Sequence, residues 1–133
     1  MTISRLRPYR PAFLWAAFLG LLLLTPGGDR PSQFGLVAAL ATAGGDKIFH
    51  ALVFAVLGGL LRRAVLAAGH GPLRVLAGGI AYGAVTEAAQ AFVPGRSADS
   101  LDCLADVLGL LLGWALAALA ASRFALRREL PDC

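Results

Sequence analysis

Residues 46–68 read DKIFHALVFAVLGGLLRRAVLAA, with polar residues at the start and an apolar run through the rest. The apolar part, residues 48–68, is long enough to cross the hydrocarbon core of a bilayer, which is about 30 Å thick. Arg62 and Arg63 interrupt it near its far end, where long side chains can reach the lipid headgroups. The stretch therefore predicts a transmembrane helix with one polar end.

Three further apolar runs, at residues 12–25, 73–93 and 101–121, are separated by segments rich in Gly and Pro. The chain has 133 residues, of which 58% are apolar and only 15% charged. Soluble domains carry about 25% charged residues, so lipid is the simplest explanation of the deficit. We therefore expect a single membrane domain over residues 1–133, an all-α bundle of four transmembrane helices.

The first run and the connector after it need separate interpretation. Residues 12–25 would form a helix of only about 21 Å, and a signal peptide is the alternative to a first span. The small-residue site at residues 41–43 lies too far beyond that run for ordinary cleavage, which favours a span. Residues 34–43 are apolar but too short to cross, so we expect a short interfacial helix there.

The distribution of Lys and Arg predicts the orientation. Nine of the twelve lie near the N-terminus, around the loop that joins spans two and three, or near the C-terminus. These are Arg5, Arg7, Arg10, Arg62, Arg63, Arg74, Arg123, Arg127 and Arg128. Both termini are therefore expected in the cytoplasm. The basic residues form no aromatic-interleaved stripe, so the net charge of +4 does not indicate nucleic-acid binding. Cys103 and Cys133 would lie on opposite sides, which disfavours a disulfide between them.

With this orientation, polar residues gather at the outer ends of spans two, three and four. They are Asp46, Lys47, His50, Glu87, Gln90, Arg96, Asp99, Asp102 and Asp106. Steps of three or four residues keep each group on one helix face and continue it into small residues. These are Gly79, Gly83, Gly109 and Gly113, which we expect to draw spans three and four together. Such packing would bring Glu87 near Asp102 and Asp106.

Purely structural roles are also open for several of these residues. Asp46 can cap span two, and Asp99 or Ser97 can cap span four. Lys47 can anchor its helix at the membrane interface, and Glu87 can pair with Arg96 or His50 as a link between helices. Asp106 lies a full turn beyond any cap position, so a capping role explains it less well than it explains Asp46 or Asp99.

The motifs together resemble the VanZ-like family of bacterial membrane proteins. They are Asp46-Lys47-x-x-His50-x-x-x-Phe54, Glu87-x-x-Gln90, Pro94-Gly95-Arg96-Ser97-x-Asp99-x-x-Asp102 and Gly109-x-x-x-Gly113, all within residues 45–115. The resemblance implies a multi-pass protein of the bacterial inner membrane, and a link to the cell envelope and to low-level resistance to the glycopeptide antibiotic teicoplanin. That family usually has Asn where this chain has Asp106, and the extra carboxylate can alter protonation or cation affinity.

The charge of the cluster limits what it can bind. With neutral His50 its net charge is about −3, which would repel a bare phosphate but suit a divalent cation, protons or sugar hydroxyls. No particular cofactor is indicated. The first hypothesis is a binding or accessory protein for a lipid-linked glycan or a glycopeptide, with Arg96 holding an anionic group.

Three other functions remain open at the level of sequence. The cluster could catalyse metal-assisted hydrolysis or transfer on a lipid headgroup, although no HExxH, GxSxG or paired-Cys motif supports this. It could serve only as packing glue in an assembly protein. A proton-coupled transporter would require the chain to form a homo-oligomer, because four short spans are too few for a pathway.

Overall fold

A computed structural model describes residues 3–26, 45–96 and 98–129, and this part of the chain is helical with no strand. A short 3-10 helix spans Ile3–Tyr9. Four α-helices follow and correspond to the four predicted spans: α1 (Arg10–Leu23), α2 (Gly45–Ala68), α3 (Pro72–Gln90) and α4 (Ser100–Glu129). The interfacial helix predicted for residues 34–43 lies outside the described residues, as do Ser97 and Cys133.

Glycine and proline set the ends of α2 and α3. Gly69 ends α2 with a φ of 66°, in the left-handed region that glycine tolerates best, and Pro72 occupies the first turn of α3. The helix α3 ends at Gln90, three residues before the approximate end predicted for span three. Tight backbone bonds from Phe92 to Ala89 and from Val93 to Gln90 replace the α-helix just before Pro94, which disfavours helical geometry upstream.

The last helix is longer than predicted. It continues to Glu129 rather than stopping at residue 121. No glycine or proline occurs between Gly113 and Pro131, so nothing in the backbone chemistry interrupts it.

Close backbone contact between α2 and α4 forms the centre of the bundle. A Cβ added to Gly113 would lie 2.6 Å from the carbonyl carbon of Ala55, and one added to Gly109 would lie 2.7 Å from the carbonyl carbon of Ala51. At Gly58 it would lie 2.9 Å from the carbonyl carbon of Leu110. The expectation that Gly109 and Gly113 approach span three is therefore wrong, because both approach span two.

The other two helices pack beside this pair. Gly79 and Gly83 of α3 face side chains, with Leu110 beside the first and Phe54 and Asp106 beside the second. The N-terminal helix joins through hydrogen bonds from Trp15 Nε1 to the Val53 carbonyl and from Tyr82 to the Ala16 carbonyl. The apolar core contains Leu19 and Leu23 of α1, Phe54 and Leu57 of α2 and Leu110 of α4, and Ile80 of α3 packs against it.

The opposite end of the bundle is held by aromatic contacts. Tyr9 Oη and His70 Nδ1 are joined by a hydrogen bond of 2.9 Å, and their rings stack. The Arg62 guanidinium lies 5.5 Å from the centre of the Trp114 ring, which links α2 to α4 by a cation–π contact. Arg63 is exposed.

Apolar side chains cover the outside of the bundle while polar ones are buried. Large exposed apolar residues include Phe13, Leu14, Leu21, Leu73, Val85 and Phe92. The buried polar residues are His50, Thr86, Glu87, Gln90, Asp102 and Asp106. Two of the described helices, Gly45–Ala68 and Ser100–Phe124, are long and apolar enough to cross a membrane. The distribution and the two apolar helices both favour a membrane protein.

The contact at Gly113 gives a direct stability test. Gly113→Ala should lower the free energy of unfolding by about 1–3 kcal/mol, because the new methyl group must push α2 away. Unfolding of the purified protein in detergent micelles would measure it. Gly78→Ala is the matched control, since an added Cβ there has no neighbour within 4 Å. It should leave stability unchanged or raise it by up to about 1 kcal/mol. Equal losses in both variants would contradict the proposed close contact.

Candidate functional site

His50 and Asp106 meet in the interior between α2 and α4. His50 Nδ1 lies 2.9 Å from Asp106 Oδ1, and each side chain is only 1% exposed. The close contact of Gly109 with the backbone of Ala51 explains their proximity, because Ala51 follows His50 directly. A side chain larger than hydrogen at residue 109 would push the backbones of α2 and α4 apart and break the hydrogen bond between His50 and Asp106.

Glu87 approaches the same point from α3. Its Oε1 accepts a hydrogen bond from the Asp99 backbone N–H, just before α4. Its other oxygen, Oε2, and Asp106 Oδ2 are both buried with no hydrogen-bond partner among the described residues. One ligand-type atom from each of His50, Glu87 and Asp106 lies within 4.8 Å of the other two. We call these three residues the inner triad.

A second group of potential ligands overlaps the first. Single atoms of Asp46, His50 and Asp102 also lie within 4.8 Å of one another. We call this group the outer triad. Asp46 is exposed and Asp102 is buried, so the outer triad connects solvent with the buried His50.

Lys47 bridges α2 to the start of α4. Its Nζ lies 2.8 Å from Asp99 Oδ2 and 3.1 Å from Asp102 Oδ1. The Lys47 and Asp99 side chains are 35% and 40% exposed, whereas that of Asp102 is 6% exposed. These groups form the accessible rim of the site, above the inner triad. Because its ammonium group is engaged by two carboxylates, Lys47 links α2 to the start of α4.

The helix caps differ between α2 and α4. Asp99 Oδ1 accepts a hydrogen bond of 2.9 Å from the Leu101 N–H, so Asp99 caps α4. Asp46 lies inside the first turn of α2, after Gly45, where the helix dipole stabilises a negative charge. The hydrogen bond from Lys47, with a second from Leu101, holds the pKa of the Asp99 carboxyl below its usual range.

Two of the predicted site residues face α1 instead. Gln90 Nε2 donates to the Leu23 carbonyl at 3.4 Å, and Arg96 Nε donates to the Thr25 carbonyl at 3.4 Å. The alternative in which Glu87 pairs with Arg96 is therefore wrong. α1 takes part in the site's surroundings, because carbonyl groups at a helix end lack intrahelical partners and accept these donors.

Thr86 is the buried polar residue that the sequence did not single out. Its hydroxyl donates to the Gly83 carbonyl at 2.8 Å on its own helix. This back-bonding satisfies the group locally, so Thr86 contributes no free donor to the site. The site thus consists of an inner triad rich in acceptors, and a rim with one cation between two carboxylates.

A family model described as VanZ/LLP1 matches residues 9–121. The match covers most of the chain and contains every residue of the rim and of both triads. No curated protein and no solved structure matches the chain.

The rim ion pair predicts a dependence of stability on pH. Because its pKa is lowered in the folded protein, Asp99 contributes stability that is present at neutral pH. That contribution is lost as the pH falls below the ordinary value of 3.8 and through the depressed pKa. Thermal unfolding should show Asp99→Asn to be less stable than the parent at pH 7 and equal to it at low pH. Lys47→Gln should follow the same trend, and a difference independent of pH would contradict the pairing.

Proposed function

The chain belongs to the VanZ/LLP1 family, and we propose that it is a four-span membrane protein that binds a polar component of the bacterial cell envelope. The observation that carries the proposal is the gradient of exposure across one polar site. Asp46 is exposed, Lys47 and Asp99 are partly exposed, and His50 and Asp106 are buried. A site that opens at one end and still offers buried acceptors suits a ligand that enters headgroup first.

The same proposal includes the four spans and their orientation in the inner membrane. α2 and α4 are long and apolar enough to cross. α1, with 14 residues, and α3, with 19, pack along them and must share their environment. A short helix can be accommodated where the bilayer thins or flanking side chains reach the headgroups. The excess of Arg near both termini and at the facing ends of α2 and α3 supports a cytoplasmic position for these parts and an outer position for the polar site.

A lipid-linked glycan is the ligand class that fits this position. Its lipid tail can remain against the exposed apolar faces of the bundle while its sugar hydroxyls donate to carboxylates at the rim. The Lys47 ammonium is the basic group within the described site, held between Asp99 and Asp102. An ammonium has three N–H donors, so the one not used by these carboxylates can donate to a sugar hydroxyl oxygen. The expectation that Arg96 holds an anionic group of the ligand is not retained, because its side chain bonds to α1.

The orientation can be tested by cysteine labelling in intact cells. On a background of Cys103→Ala and Cys133→Ser, we expect Pro94→Cys to react with a membrane-impermeant thiol reagent. Gly71→Cys should react only after permeabilisation, because its turn lies on the cytoplasmic side. Both positions are exposed turn residues, which makes them a matched pair. Labelling of both from outside, or of neither, would contradict the orientation.

Binding can be tested with a synthetic polyprenyl-linked disaccharide and the full-length protein in lipid nanodiscs. We expect Lys47→Gln and Asp102→Asn to raise the dissociation constant at least tenfold, equivalent to about 1.4 kcal/mol. Arg63→Gln removes a cation at the opposite end of α2 and should change it less than twofold.

The thermal stability of each variant is measured in parallel. If the wild-type protein binds neither this probe nor any fraction of a bacterial envelope lipid extract, the proposal is wrong. If the rim variants bind the probe as tightly as the wild type per folded molecule, the polar cluster serves assembly instead.

A further inference from the structure

We propose that the inner triad of His50, Glu87 and Asp106 binds one divalent transition-metal ion. The three residues come from α2, α3 and α4, respectively, so the ion would join three helices at one point. The inference concerns the buried floor of the site and holds whether or not the rim binds a glycan.

The geometry of the donor atoms is close to that of a metal site. One nitrogen or oxygen from each residue lies within 4.8 Å of the other two. In a tetrahedral zinc site with bonds of about 2.0–2.1 Å, neighbouring ligand atoms are about 3.3 Å apart. Small rotations of two side chains would bring the three ligand atoms to this spacing. The triad therefore offers three ligands and leaves further coordination positions open.

The unpartnered oxygens are the independent observation that points to a ligand. Glu87 is 6% exposed and Asp106 is 1% exposed, yet Glu87 Oε2 and Asp106 Oδ2 have no hydrogen-bond partner in the described part of the chain. Buried polar atoms are normally satisfied, and an unsatisfied one costs about 1–3 kcal/mol. One cation between the two carboxylates would satisfy both atoms at once.

The charge of the triad also favours a cation. Metal ligation requires ionised carboxylates and a neutral imidazole, and in that state the triad carries a charge of −2, which a divalent ion neutralises. The nearest basic side chain in the described site, Lys47, is committed to Asp99 and Asp102 at the rim. An imidazole nitrogen combined with carboxylate oxygens suits Zn²⁺ or Mn²⁺ better than Ca²⁺ or Mg²⁺, which prefer oxygen ligands alone.

The outer triad supplies a path to this position. It shares His50 with the inner triad, and its Asp46 is exposed. A hydrated ion can therefore contact Asp46 and Asp102 first and exchange water for His50 as it moves inward.

The test uses the full-length protein in detergent, stripped with a chelator and titrated with Zn²⁺ or Mn²⁺ alone. Calorimetry and elemental analysis should show about one ion per chain. Glu87→Gln and Asp106→Asn should each weaken binding at least tenfold. Thr86→Val is the matched control, because it removes a buried polar group next to Glu87 that bonds only to carbonyls of its own helix; its metal binding should be unchanged.

Two readouts keep the test independent of folding and of glycan binding. The metal should raise the midpoint of thermal unfolding of the wild-type protein and of Thr86→Val, but not of Glu87→Gln. Bound Mn²⁺ should show coupling to one nitrogen in electron paramagnetic resonance, and His50→Gln should remove it. Absence of stoichiometric binding, or equal binding in Glu87→Gln and the wild type, would overturn the inference. A metal-free protein that still binds the disaccharide would leave the proposed function standing.

Discussion

The hydrogen bond between His50 and Asp106 is the constraint around which the bundle is arranged. Both groups are buried at the contact of two helices that are apolar enough to lie in lipid, where no water can replace a missing partner. They can meet only if α2 and α4 approach closely, which Gly109 and Gly113 permit. The buried His50–Asp106 pair therefore depends on the small residues that let α2 and α4 approach each other.

The third helix completes the site because it ends early. α3 stops at Gln90, and the tight turns before Pro94 return the chain toward the bundle. The Asp99 backbone N–H then reaches Glu87, and the Asp99 side chain caps α4 and binds Lys47. One residue at the start of α4 thus connects the buried floor to the exposed rim.

Helical phase could be read from the sequence, and it placed His50, Glu87 and Asp106 on helix faces that meet. The partner of Gly109 and Gly113 could not be predicted, because a small-xxx-small pattern shows that a helix can approach closely without showing which one. The contacts of α1 were also missed. They use the carbonyl groups of Leu23 and Thr25, and every residue type has a carbonyl group. Because these carbonyl partners leave no signal in the sequence, Gln90 and Arg96 were wrongly expected to face the polar cluster.

A double-mutant cycle on the His50–Asp106 pair tests the account most directly. The free energy of unfolding would be measured in detergent for His50→Leu, Asp106→Leu and the double variant. Removing one member of a buried pair leaves the other unsatisfied, so each single change should cost about 3–5 kcal/mol. The double variant should cost much less than the sum, with a coupling energy above about 1.5 kcal/mol. Losses that add to within about 0.5 kcal/mol would show that the two residues act independently and would contradict the account.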